Sequence, residues 1–305
     1  MQEKIVYVGQ MDCYETCSEV LEKLAGVKVG GTQIYRLTDL YGKGVEDRVN
    51  AERTLTPLKQ DEVLYSQADG SMVLTREEGW KEVKVGRIFK SSDCIHAGSK
   101  QGWISNSQYV AHLGSSKDFS RTMDDLLDSF GKLDRRLIFI SDGATWIKNW
   151  IEDSFPKAIS ILDFYHACEH LHQFSNSFFK DKTVEHKWTN QQKELLLKSQ
   201  VLAVIKNIKA LAKDNNAEAE KLIAYYQANA DRMDYQQYTQ MGCGIIGSGA
   251  IESAHRTVIQ KRMKLSGQRW SKKGAQNMLN LRVINKNRQW SKIIEMSKYG
   301  LKATG

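Results

Sequence analysis

Proline, paired cysteines and long apolar runs are all scarce in this sequence. Only two of the 305 residues are proline, Pro57 and Pro156, and there is no low-complexity linker and no internal repeat. No stretch approaches the roughly 18 uninterrupted apolar residues that would cross a bilayer, and the first residues lack the apolar region of a secretory signal. The five cysteines form no CxxC module, which argues against a disulfide scaffold and against a structural zinc ribbon. We therefore expect a soluble, intracellular protein without a membrane partner.

Acidic residues are scarce at the C-terminal end. Residues 241–305 contain thirteen lysines and arginines but only two acids, Glu252 and Glu295, and so carry a charge of +11. Since the whole chain carries +8, the other 240 residues sum to −3. A basic end on a near-neutral body is typical of nucleic-acid binding, although a solvated basic tail would have the same composition.

Two short amphipathic helices are predicted near the N-terminus. The first covers residues 14–24, and the second begins at Thr32, a favourable N-cap, with Ile34 and Leu37 on its inner side. Four side chains of the second helix would face outward: Thr32, Gln33, Tyr35 and Arg36. This pattern suits a helix-turn-helix whose second helix contacts DNA. Plain structural packing of two helices is the alternative.

A mixed sheet is predicted after Pro57. Residue patterns indicate a first strand at 63–68, a second at 80–89 and a third at 103–113. Asp69-Gly70 is predicted to be a turn that ends the first strand, with the apolar residues 72–74 after it. A helix at 117–130, a buried strand at 136–141, a helix at 145–155 and a strand at 158–164 follow. Trp146 and Trp150 are four residues apart on the helix at 145–155 and are expected to face the core. Three antiparallel strands, a helix and a parallel strand–helix–strand unit give the strand order of an RNase H-like fold.

The rest of the chain is predicted to be helical. Residues 166–240 have helical character, a glycine-rich break covers 242–249, and a final helical pair covers 250–263 and 272–287. We therefore predict an α/β protein in four parts. They are an N-terminal helix-turn-helix-like segment at 1–60, the first part of an RNase H-like core at 61–175, a helical insertion at 176–240, and a basic, glutamate-bearing helical segment at 241–305.

Three separated carboxylates are candidate ligands for catalytic metal ions. Asp142 ends a buried strand, where open α/β sheets place their ligand groups, and Asp69 ends the first strand in the same way. In an RNase H-like sheet these strands are neighbours, so both aspartates would reach one pair of Mg²⁺ ions. Glu252 lies at the start of a helix, directly after a glycine-rich segment that leaves space for a substrate. Several cations follow it on the same helix, which suits a metal ligand near a phosphate backbone. The plainer interpretations are strand-end turns for the aspartates and, with Gly249 as N-cap, a favourable helix-terminal position for Glu252.

A further polar group, Asp163, His166 and His170, follows the strand at 158–164. The two histidines are four residues apart and could bind zinc from one helix face, but the order is not HExxH and no third ligand is evident. We expect these residues to line the cleft and to support the acidic site. The GxGxxG string at 242–247 is rejected as a dinucleotide site, because no βαβ unit surrounds it.

Five segments carry a family resemblance. They are Asp142-Gly-Ala-Thr-Trp-Ile, Phe155-Pro-Lys-Ala, Leu162-Asp-Phe-Tyr-His-Ala-Cys-Glu-His-Leu, Gly247-Ser-Gly-Ala-Ile-Glu-Ser-Ala and Arg262-Met-Lys-Leu-Ser-Gly-Gln-Arg-Trp. In this order they resemble bacterial insertion-sequence transposases of the Kra group, which belong to the DDE class and are related to Mutator-like elements. The resemblance covers most of the chain between about residues 60 and 290.

The resemblance implies an RNase H-like core with a helical insertion, and Asp69, Asp142 and Glu252 as the catalytic, metal-binding triad. Asp163 and His166 match a supporting D-x-x-H element. Two Mg²⁺ or Mn²⁺ ions would assist hydrolysis of double-stranded DNA at the element ends, and the freed 3′-hydroxyl would attack target DNA. The residues expected to contact DNA are Thr32, Gln33, Arg36, Arg256, Lys261, Arg262, Lys264, Arg269 and Trp270. A homodimer or higher oligomer on DNA, in the cytoplasm and with the bacterial nucleoid, is expected.

Two alternatives stay open on the sequence alone. Relatives carry more sequence before the position where this chain begins, so a truncated remnant or a non-catalytic DNA-binding repressor would have the same helices and basic end. A glycosidase that used Asp69 and Asp142 as its carboxylate pair would explain neither the basic end nor Glu252.

Overall fold

The computed structural model describes residues 1–45, 56–96, 102–212 and 216–299. Its strands are β1 (Leu64–Thr75), β2 (Gly79–Lys90), β3 (Cys94–His96), β4 (Gly102–Ile104), β5 (Gln108–Leu113), β6 (Leu137–Ser141) and β7 (Ile159–Leu162). Five of them form one sheet in the order β5-β2-β1-β6-β7, and β3 pairs with β4 in a separate hairpin. β1 is antiparallel to β2 and parallel to β6, while β6 and β7 are parallel. The predicted mixed α/β class is confirmed.

Helices surround this sheet on both faces. They are α1 (Gln2–Gly9), α2 (Tyr14–Ala25), α3 (Gly31–Gly44), α4 (Ser116–Asp128), α5 (Thr145–Ser154), α6 (Phe164–Phe178), α7 (Lys182–Leu197), α8 (Val201–Ala212), α9 (Ala217–Ala228), α10 (Tyr235–Tyr238), α11 (Gly249–Ala254), α12 (Lys261–Met263), α13 (Lys272–Lys286) and α14 (Ser291–Tyr299). A π-helical segment, His255–Gln260, joins α11 to α12. Most of the described residues between 166 and 240 are helical, as predicted. Of these fourteen helices in the described ranges, none has the length and apolar composition needed to span a membrane.

Strand β1 differs from its predicted extent. Asp69-Gly70 is not a turn, because β1 continues to Thr75 and pairs with β2 along its whole length, with Asp69 opposite Val85. The antiparallel partner supplies hydrogen bonds that a short-range pattern does not reveal, and Gly70 leaves room for the Glu82 side chain beside it. The predicted strand at 103–113 is also wrong, since it is divided between β4 and β5, which belong to different sheets.

The N-terminal helices agree with the predicted pair, with two differences. Helix α1 precedes them, and α3 begins at Gly31 with Gly30 as N-cap, so Thr32 is not the N-cap. Ile34 and Leu37 are buried as expected. These helices pack on α13, and their apolar side chains form one hydrophobic cluster with residues of β1, β2 and the C-terminal helices. The four-part division of the chain stays a prediction.

The two faces of the sheet carry different helices. Leu64 and Ala68 face a cluster that contains Phe119 of α4 and Trp150 of α5, so the predicted core position of the tryptophan stripe is confirmed for Trp150. The alternate residues, such as Tyr65, face the helices of residues 164–238. Burial of each large side chain contributes roughly 1.5–3 kcal/mol. The second face is the one that bears the candidate site.

Candidate active site

Three aspartates lie at one level where the parallel strands end. The ladder of β1 with β6 ends at the pair Gln67–Ile140, and continuing its register places Asp69 beside Asp142. The ladder of β6 with β7 ends at Ser141–Leu162, and its continuation places Asp142 beside Asp163. Neighbouring strands are about 4.8 Å apart, so their next residues share one edge of the sheet. The structure therefore brings together two members of the predicted triad and one predicted supporting residue.

Asp163 joins this edge to the glycine-rich segment before α11. Its Oδ1 accepts hydrogen bonds from Tyr165 N at 2.8 Å, as the N-cap of α6, and from Ser248 N at 3.2 Å. The side chain is fully buried, and Oδ2 has no hydrogen-bond partner among the residues described. Burial raises the pKa of this carboxyl, against the opposing effect of the two donors. Asp163 thus has both a structural role and one oxygen free for another ligand.

The side-chain amide of Gln67 holds α11 over the end of β1. Its Nε2 donates to Gly247 O at 3.1 Å, and its Oε1 accepts from Ile251 N at 2.8 Å. On the next strand, Arg87 Nη1 donates to Ala250 O at 2.8 Å. Both clamping side chains are buried. They place the first turn of α11 beside the aspartates.

Glu252 occupies that first turn and is exposed. Ser248, rather than the predicted Gly249, is the N-cap, and its hydroxyl donates to Glu252 Oε1 at 2.7 Å. The carboxylate lies at the N-terminal end of α11, where the helix dipole favours a negative charge. This position agrees with the plainer interpretation, in which Glu252 stabilises the helix rather than binds a metal ion. The same position leaves it at the acidic edge of the sheet, since Asp163 also binds Ser248.

His255 begins the π-helical segment and contacts Asp69. Its Nε2 lies 3.1 Å from Asp69 Oδ2, and the histidine side chain is 6% exposed against 37% for the aspartate. The two groups lack hydrogen-bond alignment, so the contact is electrostatic. Burial opposes ionisation of Asp69, but His255 and the Gly70 N–H together lower its pKa. His255 is not a predicted site residue, because its partner Asp69 lies 186 residues away on β1.

Tyr225 of α9 closes the site from the helical side, and sequence reasoning missed it. A Cβ on Gly143 would come within 2.6 Å of the Tyr225 ring, so Gly143 is the residue that lets this ring approach Asp142. Burial and then the Asp142 carboxylate raise the pKa of Tyr225, and its hydroxyl has no partner in the described ranges. The His170 ring packs on it at a centroid distance of 4.3 Å. The helical insertion is therefore part of the site wall.

The two predicted supporting histidines face different partners. His166 Nε2 is 3.8 Å from Asp163 Oδ2, and its Nδ1 is 3.2 Å from Glu169. Burial lowers the pKa of His170, and the nearby His166 lowers it further. Both residues lie on α6, directly after Asp163, and their supporting role stays a prediction.

Arg232 is a buried cation behind the acidic edge. Its Nη2 donates to Ser141 Oγ at 2.8 Å and to Ile161 O at 3.3 Å, so it ties the end of β6 to the end of β7. The side chain is 3% exposed. Its charge attracts the Asp142 carboxylate, while burial lowers the guanidinium pKa. No local pattern indicates this role, because Arg232 lies about 90 residues from the strand that it fixes.

The predicted DNA contacts divide into two groups. Seven are exposed: Thr32, Gln33, Arg36, Arg256, Lys261, Lys264 and Arg269. The other two, Arg262 and Trp270, are 0% and 6% exposed. The structure argues against these two as surface contacts, because both belong to the packed region between α2 and α13. Lys264 Nζ donates to Ser71 Oγ at 2.6 Å, which brings one exposed cation to the strand that bears Asp69.

The carboxylates have the donor chemistry of a magnesium site. All of them offer hard oxygen ligands, and Asp163 Oδ2 is buried without a partner among the described residues. In their present positions, no three histidine, cysteine, aspartate or glutamate side chains of the described residues converge closely enough to hold one ion. Asp69 and Asp142 lie at the same level of two adjacent strands, and Glu252 is exposed on α11.

Comparison with known proteins gives a family without an assigned activity. Residues 2–299 match the model of a family described as "Uncharacterised protein family (UPF0236)". A relative from Streptococcus gallolyticus, described as a UPF0236 protein in the vanSb 3′ region, is 24% identical over 297 residues. The match covers 93% of this chain and 63% of that protein, so the chain spans less than two thirds of the relative's length.

Proposed function

The chain belongs to the family UPF0236, and we propose that it is a DNA transposase of the DDE type. The reaction is metal-dependent cleavage of DNA at the ends of an insertion sequence, followed by strand transfer into target DNA. The observation that carries the proposal is the single level of the sheet that Asp69, within β1, shares with Asp142 and Asp163, which directly follow the two neighbouring strands, beside the helix of Glu252.

The strand arrangement supports the RNase H-like part of the proposal. The order β5-β2-β1-β6-β7 has the antiparallel strands on one side of β1 and the parallel strands on the other. This is the arrangement expected from the order of strands along the sequence. The helices of residues 164–238 then correspond to the insertion between the second aspartate and the glutamate.

Asp69, Asp142 and Glu252 are the residues that would hold Mg²⁺ or Mn²⁺. Two such ions stabilise the attacking and the leaving oxygen of a phosphodiester. The protein's own contribution is positioning: Gln67 holds α11 in place, and Arg232 fixes the strand end before Asp142. His255 lowers the pKa of Asp69 and so favours the carboxylate that a hard cation requires.

Exposed cations near this edge support DNA as the substrate. Arg256 and Lys261 lie on the helical segment that carries Glu252, and Lys264 reaches back to β1. Cations of this kind bind phosphates regardless of sequence. The outward face of α3, with Thr32, Gln33 and Arg36, is the candidate for base or phosphate contacts in a helix-turn-helix-like role. Pairing of two DNA ends requires at least two copies of the chain.

The test is cleavage of duplex DNA from the regions that flank the gene, with and without Mg²⁺ or Mn²⁺. We expect metal-dependent strand breaks with the wild-type protein and none with Asp142→Asn, while DNA binding of that variant stays within about threefold of wild type. Asp153→Asn is the matched control, because Asp153 is exposed on α5, the helix that follows Asp142. Equal loss of cleavage and binding in Asp142→Asn contradicts the catalytic role.

A non-catalytic DNA-binding protein, such as a repressor, is the second candidate. The observation that favours it is that the described carboxylates do not converge as three ligands. DNA binding that is normal, salt-dependent and unaffected by Asp142→Asn, with no cleavage in either metal, would establish this alternative. That outcome would leave the basic surface and α3 as the functional parts.

A further inference from the structure

Three helix N-termini meet at one cavity on the side of the protein formed by the N-terminal helices and α13. The cavity has a volume of about 570 Å³ and lies where α2, α3 and α13 begin. Tyr14 and Gly31 open the first two helices, and Ser271 is the N-cap of the third. Helix α3 has no side-chain cap, so its first N–H groups are not satisfied by a capping residue. Helix N-termini carry partial positive charge and bind anions.

A buried guanidinium forms the back of this cavity. Arg262 is 0% exposed, and its Cζ lies 4.8 Å from the centre of the Tyr14 ring and 5.0 Å from the Trp270 ring. Nε donates to Gly9 O at 3.2 Å, and the Gln268 amide oxygen, oriented to satisfy both of its polar atoms, accepts from Nη1 at 2.7 Å. Nη2 has no partner among the described residues.

The charge of Arg262 is therefore not balanced by a bound carboxylate. No salt bridge reaches it within the described ranges, and burial lowers the pKa of the guanidinium. A buried charge normally requires a partner, and an unpaired donor next to a cavity indicates where that partner binds. The aromatic rings above and below hold the guanidinium in place without neutralising it.

Two further arginines stand at the mouth of the cavity. Arg76 and Arg269 are exposed and line it, and neither is paired with an acid in the parts of the chain that the structure describes. The cavity contains one acidic side chain, Glu15, which lies near the start of α3: a Cβ on Gly31 would be 3.1 Å from its Oε1. Glu15 occupies the position of an anion at a helix N-terminus.

We infer that this cavity is a phosphate-binding site, with Arg262 at its back and Arg76 and Arg269 at its mouth. The phosphate group accepts from the N–H groups at the start of α3 and from the arginines, and it takes the place that Glu15 holds in its absence. Planar guanidinium groups suit a phosphate because they donate two parallel hydrogen bonds.

The expected source of the phosphate is a DNA phosphodiester, and this assignment rests on the proposed function. Arg76 follows the end of β1 by one residue and lies seven residues beyond Asp69 along the chain. At about 3.3 Å per residue the cavity is roughly 20 Å from the acidic edge, a spacing of about six base pairs along a duplex. The cavity thus anchors the backbone of DNA whose cleaved bond lies at the carboxylates. A free phosphate or a phosphorylated small molecule has the same chemistry and is the other source.

Binding of inorganic phosphate to the whole chain is the first measurement. We expect phosphate to raise the Tm saturably above the effect of chloride at equal ionic strength, because a ligand that binds only the folded state stabilises it. Arg76→Ala combined with Arg269→Ala should raise the Kd at least about tenfold. Arg135→Ala is the control, since Arg135 is exposed and outside the cavity.

Glu15→Gln should strengthen phosphate binding, whereas the arginine substitutions weaken it. Glu15 is exposed, so the change does not disturb a buried group. Removing this carboxylate should lower the Kd for phosphate about threefold or more, because the competing negative charge is lost. The inference is overturned if phosphate acts no differently from chloride. It is also overturned if the double arginine variant binds phosphate as the wild type does. This test avoids substitution of Arg262, which could fail to fold.

The salt dependence of DNA binding distinguishes a DNA phosphodiester from a phosphorylated small molecule as the source of the phosphate. If DNA is the source, the plot of log K against log salt should be less steep for the double arginine variant by about one unit of slope, because the cavity no longer neutralises its one phosphate. An unchanged slope together with weakened phosphate binding supports the site and assigns it to a phosphorylated small molecule. If the protein binds phosphate at this site but cleaves no DNA, the result supports the phosphate site and counts against the proposed transposase activity. Failure of the phosphate site and failure of the proposed function therefore give different results.

Discussion

Gln67 and Ile251 are 184 residues apart in sequence, and the Gln67 amide oxygen accepts from the Ile251 N–H at 2.8 Å. The same amide donates to Gly247 O at 3.1 Å, so one side chain satisfies a donor and an acceptor of the glycine-rich segment. Both bonds are buried. A carboxylate at this position has only acceptor oxygens. It could still accept from the Ile251 N–H, but it would repel the carbonyl oxygen of Gly247.

Gln67→Glu should therefore weaken the attachment of α11 to β1. We expect the free energy of unfolding to fall by about 1–3 kcal/mol, because Gly247 O loses its donor and faces a second acceptor. DNA cleavage should fall more than DNA binding, since Glu252 is carried by α11. Urea unfolding and a cleavage assay provide the two measurements. Gln173→Glu, an exposed change on α6, should leave both unaffected, and equal stability of the two variants would contradict the clamp.

The contact of Asp69 with His255 predicts a pH dependence. The pKa of Asp69 is lowered in the folded protein, so the ionised carboxylate adds stability above its ordinary pKa of 3.8 and loses this contribution as the pH falls through its lowered value. We expect the Tm difference between wild type and Asp69→Asn to be largest near about pH 6 and to shrink below about pH 4. Because Asp69 is 37% exposed, solvent screens the effect and keeps it small.

Asp153→Asn is the control for this measurement, because Asp153 is exposed on α5. The Tm difference of Asp69→Asn from wild type should change with pH more than that of Asp153→Asn. Equal changes for the two variants would mean that His255 does not stabilise the carboxylate.

Gly42 is a close contact between the N-terminal helices and α13. A Cβ at this position would lie 2.3 Å from Asn277 O, a backbone atom that cannot turn aside. Gly42→Ala should lower the free energy of unfolding by about 1–3 kcal/mol, as overpacking does elsewhere. The measurement is urea unfolding of the variant and the wild type. Gly30→Ala, which adds a methyl group into open space, should cost less than about 1 kcal/mol, and the same cost at both positions would contradict a specific contact.

The strand that leads to Asp142 could be predicted from the sequence, because a short apolar run followed by Asp-Gly is a local signal. The exact extent of β1 could not, since residues 70–75 stay extended only because β2 pairs with them. His255 and Tyr225 were missed for a related reason. Each reaches the site through tertiary packing of a helix whose own pattern shows only an ordinary buried or charged face. The strand-end position of Asp142 is thus readable from the sequence, but the side chains that adjust the carboxylates are not.

Two cysteines from separate segments predict a response to oxidation. Cys94 Sγ on β3 lies 2.7 Å from Cys243 Sγ, in the segment that leads to the glycine-rich break before α11. The contact with Cys94 lowers the pKa of Cys243, which increases the fraction of reactive thiolate near neutral pH. Hydrogen peroxide should convert this pair into a disulfide: the two thiols lose two protons and two electrons, and the peroxide takes up both and is reduced to two waters.

The wild-type protein should therefore lose two titratable thiols on mild peroxide treatment and regain them with dithiothreitol. Peptide mass spectrometry should show the fragments that contain Cys94 and Cys243 linked. Cys94→Ser and Cys243→Ser should each prevent the linkage, whereas Cys168→Ser should not, because the close sulfur contact joins Cys94 to Cys243 and burial raises the pKa of Cys168 to about 12. A wild-type protein in which both thiols survive conditions that oxidise free cysteine would show that the two segments do not hold the sulfurs together. A disulfide would tie the β3–β4 hairpin to the segment that leads to Glu252. DNA cleavage measured before and after reduction would show whether cleavage requires these two segments to move independently.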